Sequence, residues 1–167
     1  MATTSSLATA AVLLLAAAAA VASAVLTGSS SNKGDVLQGP DDLCLGCICE
    51  ATTNCNLTFG CSRGLCGPLL ISQPYWKDAG EPTLQGDSPQ REGAYFRCVR
   101  DPYCAAATVR QYMNKFAQDC NVNGHVECDD FARIHYLGGY QCNLPMESLL
   151  YYQVFRQCLN SVQQLNG

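Results

Sequence analysis

All twelve cysteines of this chain lie between Cys44 and Cys158, downstream of an N-terminal apolar stretch, and no other feature restricts its folding so tightly. Residues 10–22 are almost entirely Ala, Val and Leu, too few to cross a bilayer, and Ala22-Ser23-Ala24 supplies the small residues that signal peptidase prefers. The reading is a signal peptide over residues 1–24. Its removal leaves a secreted, extracellular chain with no membrane span, folding where thiols oxidise. An even cysteine count favours complete pairing among Cys44, Cys47, Cys49, Cys55, Cys61, Cys66, Cys98, Cys104, Cys120, Cys128, Cys142 and Cys158. Each bridge stabilises by something on the order of 2–4 kcal/mol, which matters in a chain of one-domain size. Connectivity stays open, since even eight cysteines allow about 105 pairings.

The formal charge of −4, with no window rich in Lys or Arg, argues against nucleic acid as a partner and against long-range attraction to an anionic surface. Residues 25–42 are poor in groups to bury and read as a flexible leader. The domain then occupies residues 43–160, with 161–167 as a C-terminal tail.

Within the domain, Cys44 to Cys66 holds half of the cysteines and three glycines, which predicts a loop-rich, cross-linked knot with at most one short helix. Asn56-Leu57-Thr58 in that segment is an N-glycosylation sequon. Ile71 to Gly93 contains Pro74, Pro82 and Pro89, predicting a long ordered loop that carries Tyr75 and Trp76. Helices dominate the second half. Asp101-Pro102 is a cap followed by proline at the first helical position, and Val109, Tyr112, Met113, Phe116 and Ala117 recur with helical spacing as a core stripe. A further helix is expected from about Cys128 to Tyr136, stopping at Gly138-Gly139. The last is expected from about Met146 to Leu159, with Leu150, Val154 and Cys158 on one face.

Two stretches have the look of metal sites. Cys44-Leu45-Gly46-Cys47-Ile48-Cys49-Glu50 has the spacing of a zinc knuckle, but in an exported chain these thiols are expected to be oxidised. Asp119 to Asp130 reads as an EF-hand-like loop, with Asp119, Asn121, Asn123, Glu127 and Asp130 as side-chain donors, His125 lending its carbonyl and Gly124 allowing the sharp turn. Asp130 is shorter than the usual bidentate glutamate, so any Ca2+ binding is expected to be weak, about 10⁻⁴ to 10⁻³ M. The alternative is a metal-free turn held by Cys120 and Cys128. No cofactor is otherwise required.

The chain also resembles a known family. Cys44 to Glu50, Asn54-Cys55-Asn56, Cys66-Gly67, Pro74-Tyr75-Trp76, Cys104-Ala105, Gln111-Tyr112-Met113, Ala132-Arg133-Ile134-His135 and Gly138-Gly139 follow, in order, the pattern of the invertebrate-type lysozymes, or destabilases. The resemblance spans Leu43 to Cys158. It implies a mainly α fold with a loop-rich disulfide knot, a small lysozyme-like α+β domain, and hydrolysis of the β-1,4 link of peptidoglycan. Such hydrolysis needs two carboxyl groups across the scissile bond.

In the family the acid is a glutamate three residues after the third cysteine of the CxxCxC string. Thr52 stands there in this chain. The family's aspartate belongs to a run before Cys-Gly, which here reads only Ser62-Arg63-Gly64-Leu65. Glu50 is the single acid between Leu43 and Lys77, and two residues apart on a helix point about 200° away from each other, so it is a poor substitute. His135 matches a histidine linked to the family's isopeptidase activity, but the partner serine is missing, and its ordinary alternative is a hydrogen-bonded structural role. Relatives carry cysteines where this chain has Ala79 and Thr108, implying one bridge fewer and six in all. The resulting expectation is peptidoglycan or another N-acetylated glycan bound by stacking on Tyr75 and Trp76 with polar contacts near His135, and hydrolysis lost or strongly reduced. An active glycosidase with substitute acids and a calcium-stabilised binding protein remain the alternatives.

Overall fold

Asp41 opens the first helix by accepting the Cys44 N–H on its carboxylate at 2.7 Å. The computed structural model describes residues 39–165, so the expected signal peptide and most of the expected leader lie outside the described residues. Helix α1 (Asp42–Thr53) buries Cys44, Leu45, Cys47 and Ile48. It ends where Asn54 and Cys55 both turn left-handed. The cysteine-dense segment thus begins as a three-turn helix, more regular than a knot. The reason is that Cys44 and Cys47, three residues apart, face the core and reach distant helices rather than one another.

Three two-residue strands follow, β1 (Cys61–Ser62), β2 (Leu65–Cys66) and β3 (Ile71–Ser72). They pair antiparallel in the order β1-β2-β3, with Cys61 opposite Cys66 and Cys66 opposite Ile71. Arg63 and Gly64 both have positive φ, the conformation a two-residue hairpin turn demands.

The proline-rich stretch is not the expected continuous loop. Ser72 caps helix α2 (Gln73–Asp78), which carries Tyr75 and Trp76, and Pro74 sits in the first turn, where its missing N–H costs nothing. Helix α3 (Ala94–Arg100) is a second element that the prolines and glycines hide.

Helix α4 (Pro102–Phe116) agrees with its sequence signals: Asp101 accepts the Tyr103 and Cys104 N–H groups, and Val109, Tyr112, Met113 and Phe116 are buried. Helix α5 (Cys128–Leu137) stops at Gly138, as expected. Helix α6 (Leu150–Leu165) starts later than expected and continues through most of the segment read as a tail. Its buried face is Tyr151 and Phe155, with Cys158, Leu159 and Val162 half-buried, while Leu150 is 74% exposed. The expected Leu150–Val154 face is therefore one residue out of phase.

Six bridges use all twelve cysteines, leaving none free. Cys44–Cys128 ties α1 to α5 and Cys47–Cys158 ties α1 to α6. Cys49–Cys55, Cys61–Cys66 and Cys98–Cys104 are local, and Cys120–Cys142 closes the loops flanking α5. Ala79 and Thr108 are both buried, and the Thr108 hydroxyl donates to the Cys104 carbonyl at 2.8 Å. Ile48, Ile71, Met113, Ile134, Met146 and Phe155 are fully buried at the centre. The result is a mainly helical domain with one small sheet, the fold class expected.

Candidate functional site

The C-terminal ends of α1 and α5 meet the first turn of α6 and the small sheet around a cleft of about 430 Å³. Ala51 and Thr52 come from α1, Leu65 from β2, His135 and Tyr136 from α5, and Tyr151 from α6, with Leu70 between β2 and β3. None of these is an acid. Thr52 is at the cleft, and its Oγ1 lies 2.9 Å from both the Cys49 and Pro68 carbonyls, so its single proton is committed to backbone. The neighbouring Thr53 hydroxyl donates to the same Pro68 carbonyl at 2.7 Å. Glu50 is exposed and is not among the cleft residues, as its helical offset from Thr52 requires.

His135 holds a fixed tautomer. Its Nε2 lies 2.9 Å from the Leu69 carbonyl, which only accepts, so Nε2 carries the proton. Nδ1 then accepts from the Tyr75 hydroxyl at 3.2 Å. Burial pushes the imidazole pKa down to about 4, against a smaller opposing effect of the Leu69 carbonyl. Both nitrogens are hydrogen-bonded within the protein, so His135 lines the cleft as a neutral ring whose polar atoms are already partnered.

Tyr75 and Trp76 are partnered likewise. The Trp76 ring is 2% exposed, and its Nε1 donates to the Pro82 carbonyl at 2.8 Å. Tyr75 stacks on Tyr112 at 3.6 Å, and burial raises its phenol well above the usual range, keeping it a proton donor to His135. Trp76 presents no free face to a ligand, and Tyr75 is half-buried with one face stacked on Tyr112. Two of the three prolines of that segment bear on the pair: Pro74 lies in the first turn of the helix that carries it, and the Pro82 carbonyl holds the Trp76 indole.

The aromatic that does face the cleft is Tyr136, 51% exposed and stacked on Tyr151 at 4.7 Å. Tyr151 is buried and donates to the Ala132 carbonyl at 3.2 Å, so the ledge is rigid. Sequence reasoning missed it. Its signal is an aromatic on the polar side of α5, out of phase with the buried Phe131, Ala132 and Ile134.

The neutral His135 makes stability depend on pH. Its folded pKa lies below the usual 6.5, so the unfolded chain binds the proton first, and stability falls as pH drops from about 6.5 toward 4. At about 1.4 kcal/mol per unit, the loss approaches about 3 kcal/mol. We expect denaturant titrations between these pH values to show that slope in the wild type and a flatter one in His135→Gln. Equal slopes would remove the assignment.

The loop from Asp119 to Asp130 closes on itself. Asp119 accepts the Asn123 and Gly124 N–H groups, Asn121 Oδ1 accepts the Asn123 N–H, and Asn123 donates to Glu127. His125 donates its N–H to the Asn123 side chain. Asp130 is the residue that departs from the expected donor set. It is fully buried at the start of α5, where Oδ1 accepts from Cys120 and Asn121 and Oδ2 from Glu127, completing a capping box. Its carboxylate is engaged by these N–H groups, whereas Asp119, Asn121, Asn123, His125 and Glu127 meet one another within the loop. Among the described residues no three His, Cys, Asp or Glu side chains converge as a metal site. Cys120 and Cys128 each tie the turn to a different partner, Cys142 and Cys44.

Beside it, Asp129 is buried against Arg133, Tyr152 and Asn121. Burial opposes its charge, but those three hydrogen bonds win and hold its pKa below the usual range. Asp130→Ala strands three N–H groups and is expected to cost about 3 kcal/mol or more, with Asp130→Asn costing less. Millimolar calcium is expected to leave the wild-type melting temperature unchanged. A calcium-dependent rise would reinstate the six-donor site.

Fold and cleft together define a lysozyme-like domain, and comparison with known proteins gives its family. The Destabilase family model matches residues 41–158. Invertebrate-type lysozyme 3 of Caenorhabditis elegans is 34% identical over 103 residues, covering 59% of this chain and 73% of the relative. A lysozyme of Magallana gigas is 32% identical over 124 residues, covering 70% of this chain and 80% of the relative. The Meretrix lusoria lysozyme, solved in complex with Aeromonas hydrophila PliI, superposes with a TM-score of 0.56 at 25% identity, covering 71% of this chain and 89% of that one. The chain belongs to the destabilase family of invertebrate-type lysozymes.

Proposed function

We propose that this family member is a secreted protein of a defence or digestive fluid that binds peptidoglycan, or another N-acetylated glycan, in the Thr52–Tyr136 cleft and hydrolyses it slowly or not at all. One observation carries the reading: the residues lining the cleft include no carboxyl group, and the residue at the family's acid position is a threonine whose proton is held by backbone. General acid catalysis has no donor there. The rigid Tyr136 ledge keeps a sugar-stacking surface, with Leu65 on the sheet side.

The test is sedimentation with insoluble peptidoglycan, in parallel with clearance of a peptidoglycan suspension. Wild type is expected to co-sediment without clearing, and Tyr136→Ala to weaken co-sedimentation several-fold while its far-UV spectrum stays unchanged. Failure of the wild type to co-sediment would remove the binding reading, and rapid clearance would remove the non-catalytic one.

A further inference from the structure

We propose that Asn56 carries an N-linked oligosaccharide, and that the sugars nearest the protein cover an apolar groove beside it. Asn56-Leu57-Thr58 is the chain's single Asn-x-Ser/Thr triplet with a non-proline centre. A sequon in a folded, cross-linked domain is receptive only where its loop is exposed and unconstrained, and three features of the structure meet that condition.

The first is position. Asn54 and Cys55 both adopt left-handed backbone, with φ of 54° and 49°, which turns the chain off the end of α1 and leaves residues 54–58 exposed. The second is side-chain geometry. The Asn56 Oδ1 accepts the Thr58 N–H at 3.0 Å and the Thr58 hydroxyl at 2.7 Å. These bonds occupy Oδ1 and polarise the amide, and among the described residues Nδ2, the atom that takes the sugar, donates no hydrogen bond. The third is the bridge pattern. A local disulfide that enclosed the sequon would restrict access to it, but Cys49–Cys55 closes one residue before Asn56 and Cys61–Cys66 opens three residues after Thr58. The two short bridges bracket the acceptor without spanning it.

The chemistry needs a lipid pyrophosphate-linked oligosaccharide as donor, available to a chain exported as residues 1–24 lead one to expect. Nδ2 forms a bond to the anomeric carbon, the bond from that carbon to the pyrophosphate oxygen breaks, the pyrophosphate leaves with the electron pair, and the amide gives up one proton. No change of oxidation state occurs. The attached sugar then emerges beside a groove of about 200 Å³ whose walls include Cys55, Leu57, Pro68 and Pro102. Leu57 is 59% exposed, so the tethered sugar's apolar face has a surface to cover that no described side chain covers.

The experiment uses the full chain expressed in a eukaryotic secretory host and recovered from medium and membranes. Intact mass is compared before and after peptide N-glycosidase F. We expect a mass loss equal to the glycan, with aspartate appearing at position 56 in the peptide map. Asn56→Gln and Thr58→Ala are expected to lack the mass, and Thr58→Ser to retain it. Wild type recovered at the peptide mass alone would overturn the attachment, and a sugar that survives Thr58→Ala would assign it elsewhere. Enzymatic removal under native conditions is expected to increase binding of a hydrophobic dye. No increase would overturn the covering of the groove.

Discussion

The purified protein is expected to clear a peptidoglycan suspension at least about 10²-fold more slowly than an invertebrate-type lysozyme that carries both carboxyl groups. The figure is the lower bound for a missing general acid alone, and the residues lining the cleft include no carboxyl group at all. A retaining pair sits about 5–5.5 Å apart and an inverting pair about 6.5–9.5 Å apart across the scissile bond, so one carboxyl group cannot substitute for two. Thr52→Glu is therefore expected to leave clearance unchanged, although it places an acid at the cleft. Glu50→Gln is expected to have no effect, because Glu50 is exposed and outside the cleft. Asp78 is engaged with Lys115 at 3.1 Å and is not among the residues that line the cleft. Recovery of activity from Thr52→Glu alone would show that an acid already reaches the cleft, and the non-catalytic reading would fall.

The sequence was legible where local physics decides the structure. Asp101-Pro102 and the stripe from Val109 to Phe116 specify α4 by capping and periodicity alone, and the structure agrees. It was least legible where prolines at helix starts resemble helix breakers: Pro74 opens α2 rather than ending it, so Tyr75 and the buried Trp76 sit on a helix and not on a loop. The same holds for the site. Thr52 was singled out only by resemblance to the family pattern, and in the structure it lines the cleft from the end of α1. Tyr136 escaped notice because stacking on Tyr151 joins two helices far apart in sequence, and spacing does not encode that contact. The Asp119–Asp130 loop illustrates a different limit. Its side-chain spacing fits calcium and fits a self-closed turn equally well, and the burial of Asp130 at the start of α5 is a tertiary property that spacing does not encode.

The second large effect concerns the bridges. Cys47 and Cys158 are 111 residues apart, whereas Cys98 and Cys104 are six apart. If bridges act by restricting the unfolded chain, loss of the long one costs about 5 kcal/mol and loss of the short one about 2 kcal/mol. Burial alone does not give that ranking, since Cys98 and Cys104 are both buried while Cys158 is half-buried. Cys47 is buried in α1, and Cys158 holds the half of α6 beyond Phe155, where Leu159 and Val162 are only half-buried. Paired Cys→Ala variants are expected to lose stability in denaturant in that order, with Cys47→Ala/Cys158→Ala losing more than twice as much as Cys98→Ala/Cys104→Ala. Amide exchange in the long-bridge variant should rise first in α6 after Phe155, since no other bridge reaches that helix. Equal losses from the two variants would mean that native packing around each bridge, and not the length of chain it closes, sets its contribution.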